Sequence, residues 1–505
     1  MRRVGVLLGL MLCMATAAGA DWLEASSDHF VIYSDQNEKA ISGFSERLEL
    51  FHAAMAHVSR VPVSKPSPSN RVTIFVVSNP AKVQELVQAD NRYLNGIYIP
   101  RAGASVALVP KRNGATGQFD MQPETVLYHE YAHHFMSGLT SRRFPRWFTE
   151  GFAEFFAGVR FRDESVGLGT PADYRMVELA YAKNVPIRSL LDYDGGASIK
   201  SNSFDSFYGQ SWILFHYLQF DPARSGQLAK YQLLLGTGDT ALEAAEGAFG
   251  DLDQLAKDVE RYSNRRKLSY IAIGRKQLAI GPIVVRVLPP GEAEMMPTRI
   301  RSDVGVGEKE AVVVVADARR IAAKHPDDPA VLAALAEAEF DSHNNEAAIA
   351  AADRALALDP NQINAFIQKG YALSRKINDG TLPDTAWKDV RSHWVKANKI
   401  ENDNPIPLVQ YYLTYLEQGI EPTKNSIAGL EWAMTLAPFD ASIRWQAAAQ
   451  MIKDERLADA AETLAPLAYS PHPGDHTESA RKLLQEVERR LTIGKDLQTD
   501  VAAAP

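Results

Sequence analysis

The alternation of apolar and polar positions divides the chain into an N-terminal part of strands and helices and a C-terminal part that is helical. Short runs rich in β-branched and aromatic residues predict four strands, at His29–Tyr33, Arg71–Val77, Gly96–Ile99 and Ser105–Val109. Between the first two strands, apolar residues recur at helical spacing over Ala40–Val58. From about residue 121 the pattern is mostly helical. These patterns predict a mixed α/β domain that extends to about residue 280.

The next segment, 281–309, is rich in residues that interrupt regular structure. It contains Pro282, Pro289, Pro290 and Pro297 together with several glycines. Such residues are typical of turns and loops. We therefore expect a linker here, with one strand-like piece at Ile283–Leu288.

Beyond residue 310 the chain is rich in alanine and carries a helical repeat. Ala348, Ala352 and Ala355, followed by Pro360, fall where the two helices of a repeat of about 34 residues touch. The pattern resembles tetratricopeptide repeats (TPRs) over 329–375 and degrades afterwards. An irregular helical bundle is the alternative. Either architecture is helical, and we expect it to serve in docking.

Composition excludes several classes of protein. The chain has 505 residues, 46% of them hydrophobic, so it can build full cores and is not a disordered chain. Its single cysteine, Cys13, excludes a fold built on disulfides. A net charge of -8 disfavours nucleic acid as a partner, because binding the phosphate backbone needs a basic surface.

The first twenty residues have the features of a secretory signal peptide. Arg2 and Arg3 precede an apolar run from Val4 to Ala15, and the small residues at 18–20 form a cleavage site. A membrane anchor is the weaker alternative, because the apolar run is too short to span a bilayer. We expect cleavage before Asp21 and export to a periplasmic or extracellular location. No later stretch is long and apolar enough for stable membrane insertion.

The strongest chemical signal is the motif His129-Glu130-x-x-His133, which falls in a predicted helix over 123–137. On a helix the two histidines are four residues apart and project from the same face. That spacing lets both imidazoles bind one tetrahedral zinc ion. Glu130 lies beside the metal position and can act on a bound water molecule without being a ligand.

A third ligand is offered by Glu150, which follows His133 after sixteen intervening residues. Pro145 can open this second helix, which places Glu150 and Glu154 on one face. The helix is otherwise apolar and aromatic, so a buried carboxylate there needs a cation. We expect Glu150 to complete a His2Glu site and Glu154 to hold a ligand histidine from behind. The alternative for Glu154 is a solvated helix residue.

Together these motifs resemble the gluzincin metallopeptidases, in particular the exported bacterial group called peptidase-MA-like. The resemblance covers about 21–270 and implies one zinc per chain, held by His129, His133 and Glu150, with Glu130 as the catalytic base. Family members commonly use a downstream Tyr or His to stabilise the oxyanion. Tyr208 resembles the tyrosine of a recurring Tyr-x-x-Ser pattern and is preferred over His216. Tyr208 as a packing aromatic is the alternative.

One departure from this class concerns substrate termini. Gluzincin aminopeptidases carry an acidic residue in a strand-edge motif that binds the substrate's amine, whereas the strand over 103–110 has none. That favours cleavage within a chain, and the same strand edge could hold an extended peptide by main-chain pairing.

The expected fold class is α+β, a zincin-like metallopeptidase domain followed by an all-α TPR solenoid. The expected boundaries are a signal peptide at 1–20, the peptidase domain at 21–280, a linker at 281–309, the repeat domain at 310–490 and a flexible tail at 491–505. The expected function is that of an exported zinc endopeptidase acting on peptides or proteins, with the repeats docking a substrate or a partner protein. Two alternatives stay open: a TPR adaptor whose peptidase-like domain is inactive, and a zinc hydrolase that acts on another bond.

Overall fold

The computed structural model describes residues 22–87, 94, 96–111, 121–139, 143–192, 205–470 and 477–502. The predicted signal peptide, with Cys13, lies outside the described residues.

The N-terminal part combines strands and helices in alternation. Its strands are β1 (Leu23–Ser26), β2 (Phe30–Ser34), β3 (Val72–Val77), β4 (Ile97–Ile99), β5 (Val106–Pro110), β6 (Arg160–Phe161), β7 (Ser165–Leu168), β8 (Ile271–Gly274) and β9 (Val284–Val287). Its helices are α1 (Glu38–Ser59), α2 (Pro80–Val87), α3 (Pro123–Leu139), α4 (Arg146–Ala157), α5 (Asp173–Tyr181), α6 (Ile187–Leu191), α7 (Phe207–Phe220), α8 (Gln227–Thr237), α9 (Ala241–Phe249) and α10 (Leu252–Ser263). The four predicted strands and the predicted helix over Ala40–Val58 are all present, within a few residues of their expected bounds.

The main sheet has six strands in the order β4-β5-β3-β2-β1-β9. β2, β3 and β5 are parallel, and the remaining pairs are antiparallel. Every residue of the three parallel strands is buried, as expected for strands that are covered on both faces. A second, three-stranded antiparallel sheet has the order β6-β7-β8.

The two faces of the main sheet face different layers of helix. Ile74, Val76 and Ala107 pack in one core with α1 and α3. Phe75 and Leu108, which point the other way, pack against α2 and a further helix, α11 (Pro290–Val304). Because α3 lies on the first face, the sheet forms the platform for the predicted metal-binding helix.

The strand-like piece expected at Ile283–Leu288 is present as β9, but the expectation that the rest of 281–309 is a linker is wrong. β9 pairs with β1 across four residues and so completes the sheet. α11 begins at Pro290, where a proline suits the first helical turn, and it buries Met296 and Ile300 against the sheet. Pro289 and Pro290 therefore mark the start of a helix, and Pro297 is accommodated inside it.

The rest of the chain is a stack of helices. These are α12 (Glu308–Lys324), α13 (Pro329–Asp341), α14 (Asn345–Leu358), α15 (Ile363–Asn378), α16 (Trp387–Ile400), α17 (Pro405–Glu417), α18 (Lys424–Leu436), α19 (Ala441–Lys453), α20 (Leu457–Ala468) and α21 (Thr477–Ala502). Successive helices contact one another along the stack, and α13 also contacts α15. Short 3-10 helices lie at Pro68–Asn70, Pro222–Arg224, Arg275–Gln277 and Asp384–Ala386.

The segment expected to be a flexible tail, 491–505, has a helical backbone over most of its length. Residues 491–502 continue α21, which is 26 residues long. The backbone of this segment is helical, and residues 503–505 lie outside the described part of the chain.

The helical stack packs directly against the sheet domain. The backbone N–H of Ala102, in the turn between β4 and β5, donates to Oδ2 of Asp440 over 2.7 Å. The amide of Asn70 donates to the carbonyl of Leu436 over 2.8 Å. Ser69 donates to Glu401 through both its backbone N–H and its hydroxyl. The two parts of the chain therefore share a hydrogen-bonded interface instead of being joined by a free linker.

Among the described helices, none is both long enough and apolar enough to cross a membrane.

Candidate metal centre

α3 presents His129 and His133 on one face, separated by a single helical turn. Their Nε2 atoms lie 3.1 Å apart. His129 is buried and His133 half-buried. The helix begins at Pro123 with Glu124 in its first turn, a favourable charge for a helix N-terminus. The predicted i, i+4 arrangement of the two imidazoles is therefore present.

α4 brings Glu150 to the same point. Pro145 caps the helix, as the sequence predicts. Gly151 lets α4 approach α7 closely, because a Cβ atom at this position would lie 2.6 Å from the carbonyl oxygen of Ser211. Oε2 of Glu150 lies 3.2 Å from Nε2 of His129 and 3.5 Å from Nε2 of His133.

Nε2 of His129, Nε2 of His133 and Oε2 of Glu150 form a nearly equilateral triangle whose size fits the ligand positions of a tetrahedral metal ion. Ligands at 2.0 to 2.1 Å from a tetrahedral zinc lie about 3.3 Å from one another, and the three separations here are 3.1, 3.2 and 3.5 Å. His129, His133 and Glu150 are also the one group of this kind among the described residues. Two imidazoles and one carboxylate match the ligand set of catalytic zinc.

The burial of Glu150 supports this fit. Its side chain is 0% exposed, and within the described residues neither carboxylate oxygen has a hydrogen-bond partner. Burial raises the pKa of Glu150, but the two histidines outweigh it and hold the pKa well below its usual range. An ionised, buried carboxylate is costly unless a cation compensates it. A divalent metal between the three side chains would provide that compensation.

Glu154 lies behind His129, one turn further along α4. Its Oε1 atom lies 3.1 Å from Nδ1 of His129. Arg175 of α5 forms an ion pair with the same carboxylate, and the hydroxyl of Tyr174 donates to Oε2 over 3.0 Å. Glu154 is fully buried, so the alternative of a solvated helix residue is wrong.

The charges around His129 determine its protonation. Burial lowers the pKa of His129, but Glu154 and Glu150 raise it to about 10. Burial opposes the ionisation of Glu154, whereas Arg175 and His129 lower the pKa of that carboxyl to about 2. Arg175 and Tyr174 had no detectable signal in the sequence, because they lie on a separate helix at no characteristic spacing.

Glu130 lies in a cleft between the sheet domain and the helical stack. The cleft has a volume of about 610 Å³. Glu130, His133 and Tyr98 line one side of it, and Phe439 and Arg444 line the other. We call this cavity the interdomain cleft. The sequence left the position of the helical stack relative to this site open, and in the structure the stack forms a wall of the cleft.

The strand that borders the cleft is β4. Gly96, Ile97 and Tyr98 line the cavity, and β4 is the terminal strand of the sheet. β5, over which the sequence predicted peptide pairing at 103–110, lies between β4 and β3 and has both edges occupied. The expectation of an open edge on β5 is therefore wrong, because β4 covers it.

Tyr208 and His216 lie in very different surroundings. The hydroxyl of Tyr208, at the start of α7, accepts a hydrogen bond from Arg146 over 3.1 Å. Burial and the nearby carboxylate of Glu150 raise the pKa of Tyr208 above its ordinary value. His216 is 0% exposed in the core, where its ring nitrogens bond Tyr262 and the carbonyls of Gly169 and Ser269. His216 therefore cannot reach a substrate, which leaves Tyr208 as the oxyanion candidate.

His134, the third histidine of α3, faces away from the ligand triangle. Its Nδ1 atom lies 2.7 Å from the hydroxyl of Tyr98, and its ring stacks on Phe439 at 4.0 Å between centroids. Burial lowers the pKa of His134 to about 3. It is a packing residue at the interface between the two parts of the chain.

Comparisons with known proteins find similarity to solved structures at low levels. TTC0263, a thermophilic TPR protein of Thermus thermophilus, is 17% identical and covers 39% of this chain and 98% of its own, with a TM-score of 0.32. The MamA RS-1 ArsTM double mutant is 16% identical, and the match covers 39% of this chain and 96% of the mutant's own chain, with a TM-score of 0.27. Yeast Tom70 is 12% identical, and the match covers 77% of this chain and 70% of Tom70, with a TM-score of 0.30. No protein-family model and no curated protein matches the chain.

Proposed function

We propose that this chain is a zinc-dependent hydrolase that cleaves peptide bonds, as an exported endopeptidase. The observation that carries the proposal is the triangle of Nε2 of His129, Nε2 of His133 and Oε2 of Glu150, with sides of 3.1 to 3.5 Å. One zinc ion per chain fits these three ligands and leaves a fourth position open. The export part of the proposal rests on the signal-peptide pattern of residues 1–20.

When bound, zinc would supply a water molecule of lowered pKa and an electrophile for the scissile carbonyl. Glu130, half-buried at the margin of the interdomain cleft, is the general base: it takes a proton from the attacking water and delivers it to the leaving amine. Glu154 and Arg175 hold the ring of His129 in place from behind.

Tyr208 is the second donor to the developing oxyanion in this proposal. Arg146 donates to its hydroxyl oxygen and so orients it. Its raised pKa keeps the phenol protonated at neutral pH, which an oxyanion donor requires. Tyr208 lies near Glu150 but is not among the described residues that line the interdomain cleft.

Cleavage within a chain is favoured by the charges of the cleft. Among the described residues that line it, Glu130 is the one carboxylate. Since Glu130 is assigned to proton transfer, no described carboxylate of the cleft is left to bind a free amino terminus. The substrate is therefore a peptide or protein whose amino terminus lies elsewhere.

The second candidate function is that of a helical-repeat docking protein whose N-terminal domain is not a catalyst. Stacked helical pairs such as α13 to α20 form an extended surface that suits protein partners. In this chain part of that surface is used internally, where Asp440 and Leu436 bind the sheet domain. A partner would then bind the remaining surface.

Metal content separates the two candidates. The purified chain, dialysed and analysed by elemental mass spectrometry, should contain about one zinc per chain. His133→Ala should lose the metal, whereas His57→Ala, which removes an exposed histidine of α1, should retain it. Glu130→Gln should retain zinc but lose hydrolysis of a denatured protein substrate. No zinc after reloading would contradict the hydrolase proposal and favour the docking protein.

A further inference from the structure

The helical stack contributes a buried arginine to the interdomain cleft. Arg444, in the first turns of α19, lines the cavity that also contains Glu130 and His133. Arg444 is buried, with only 3% of the residue exposed. α19 is held against the sheet domain by its N-cap, Asp440, which accepts a hydrogen bond from Ala102. The position of Arg444 in the cleft is therefore fixed by the interface between the two parts of the chain.

Arg444 has no carboxylate partner at ion-pair distance among the described residues. Its Nε donates to the carbonyl oxygen of Pro438, which leaves the two terminal nitrogens of the guanidinium. Glu462 is exposed on α20 and attracts the guanidinium from beyond ion-pair distance. Some other arginines of the stack do have carboxylate partners, as Arg456 has in Glu431 and Asp459.

Burial of a charge without a counter-charge is costly, and this cost points to a ligand. Burial lowers the pKa of Arg444 to about 10, so the guanidinium still carries its charge at neutral pH. An arginine fork offers paired donors that match a carboxylate. Arg143, the second arginine of the cleft, is close to Glu488, at 3.4 Å, whereas Arg444 is not neutralised in this way. The cleft wall opposite Glu130 therefore carries an uncompensated positive charge.

We propose that Arg444 binds a carboxylate of the peptide substrate and so determines specificity from the helical stack. The inference rests on the proposed hydrolase function of the same cleft. The carboxylate has two sources in a peptide, the free C-terminus or an Asp or Glu side chain. In either case the helical stack selects the substrate inside the cleft rather than by docking at a distance.

Peptide binding to the Glu130→Gln protein tests the proposal without requiring turnover. A mixture of peptides from a lysine-specific digest of denatured proteins is applied to the immobilised protein, and bound peptides are identified by mass spectrometry. One half of the mixture has all carboxyl groups amidated. We expect at least about ten-fold lower recovery of the amidated peptides, in line with a charged hydrogen bond. Peptide amides that retain a free Glu side chain then distinguish the two sources of the carboxylate.

Three variants, each made in the Glu130→Gln background, connect this preference to Arg444. Arg444→Gln should remove the discrimination between free and amidated peptides, Arg444→Lys should retain part of it, and Arg456→Gln, on the surface of the same stack, should leave it unchanged. The Tm of Arg444→Gln should be equal to or above that of the parent, because the change removes an uncompensated buried charge. Equal recovery of free and amidated peptides, or unchanged discrimination in Arg444→Gln, would overturn the proposal. No step of the peptide-binding experiment depends on cleavage. If the zinc experiment shows no hydrolysis, the binding experiment therefore still decides whether Arg444 binds a carboxylate.

Discussion

Oε1 of Glu154 lies 3.1 Å from Nδ1 of His129, on the opposite edge of the imidazole from Glu150. The ring therefore lies between two buried carboxylates. Glu150 is one corner of the triangle, and Glu154 forms an ion pair with Arg175. A carboxylate behind a ligand histidine fixes its tautomer and increases its basicity. α4 supplies both carboxylates at an i, i+4 spacing, so in the proposed zinc site a single helix would provide both the third ligand and the support of the first.

The first prediction concerns this support. Glu154→Gln should weaken zinc binding by about 10- to 100-fold, because the charge behind His129 is lost while the shape is retained. Competition with a chromophoric chelator measures the affinity. Glu178→Gln is the matched control, since Glu178 pairs with the same Arg175 at 2.6 Å without a contact to His129. Equal zinc affinity in Glu154→Gln and the parent would show that Glu154 has no role in metal binding.

The second prediction concerns Tyr208. If its hydroxyl stabilises the oxyanion, Tyr208→Phe should reduce kcat by about 100- to 1000-fold with little change in KM. Tyr217→Phe is a matched control, because Tyr217 lies on the same helix and its hydroxyl also accepts from an arginine, Arg224, over 3.1 Å. Steady-state kinetics on a peptide substrate give both constants. A kcat equal to that of Tyr217→Phe would instead make Tyr208 a packing aromatic.

The sequence predicted those parts of the site that depend on local geometry. His129, His133, Glu150 and Glu154 lie on two helices, and the i, i+4 rule places each pair on one face without reference to the rest of the fold. Arg175 could not be predicted, because it reaches Glu154 from a helix with no characteristic spacing to the motif. Arg444 lies more than 300 positions after Glu130 in the sequence and reaches the cleft only through tertiary packing. Local sequence patterns could therefore not predict its position.

The misassigned segments have a similar cause. The prolines of 281–309 suggested a break, yet Pro290 is the first residue of α11 and a proline there is compatible with helix. Whether such a segment folds depends on a partner surface, here the outer face of the sheet with Phe75 and Leu108. Likewise, the sequence found the strand β5 but not its neighbour order, because the order of strands is a property of the assembled sheet.

A third prediction tests the interface between the sheet domain and the stack. Gly103 has a φ of +74° in the β4–β5 turn, and a Cβ there would lie 2.6 Å from Cγ1 of Ile406. Gly380 has nearly the same φ, +76°, but open space around it. Replacing either glycine by alanine should lower the free energy of unfolding by about 1 to 2 kcal/mol, because a side chain disfavours this backbone conformation.

Gly103→Ala should therefore lower the free energy of unfolding by more than Gly380→Ala does. The excess should disappear in an Ile406→Ala background, because the side chain that the new Cβ meets is then gone. Chemical denaturation of the four variants and their parent forms a double-mutant cycle. Equal losses in Gly103→Ala and Gly380→Ala would contradict the close packing of the turn against α17.

The last prediction is a pH dependence that originates in the core. Burial lowers the pKa of His216 to about 4, against an ordinary value of about 6.5. Because the folded-state pKa is the lower one, the unfolded chain binds the proton first as the pH falls. His216 therefore supports the fold fully above about pH 6.5, and its contribution is lost progressively as the pH falls towards 4. Linkage gives a loss of about 2 kcal/mol between pH 7 and pH 5.

His216→Gln should remove this part of the acid sensitivity. The variant will be less stable than the parent at pH 7, because Gln cannot reproduce the bonds of His216 to Tyr262, Gly169 and Ser269. The difference between its free energies of unfolding at pH 7 and pH 5 should nevertheless be smaller than that of the parent by about 2 kcal/mol. Denaturant titrations followed by tryptophan fluorescence give both values.

His57→Gln, at an exposed position on α1, should keep the parental pH dependence. An unchanged dependence in His216→Gln would mean that this imidazole is protonated at the same pH in the folded and unfolded chain, which its burial argues against, because burial lowers its pKa by more than the two backbone carbonyls raise it.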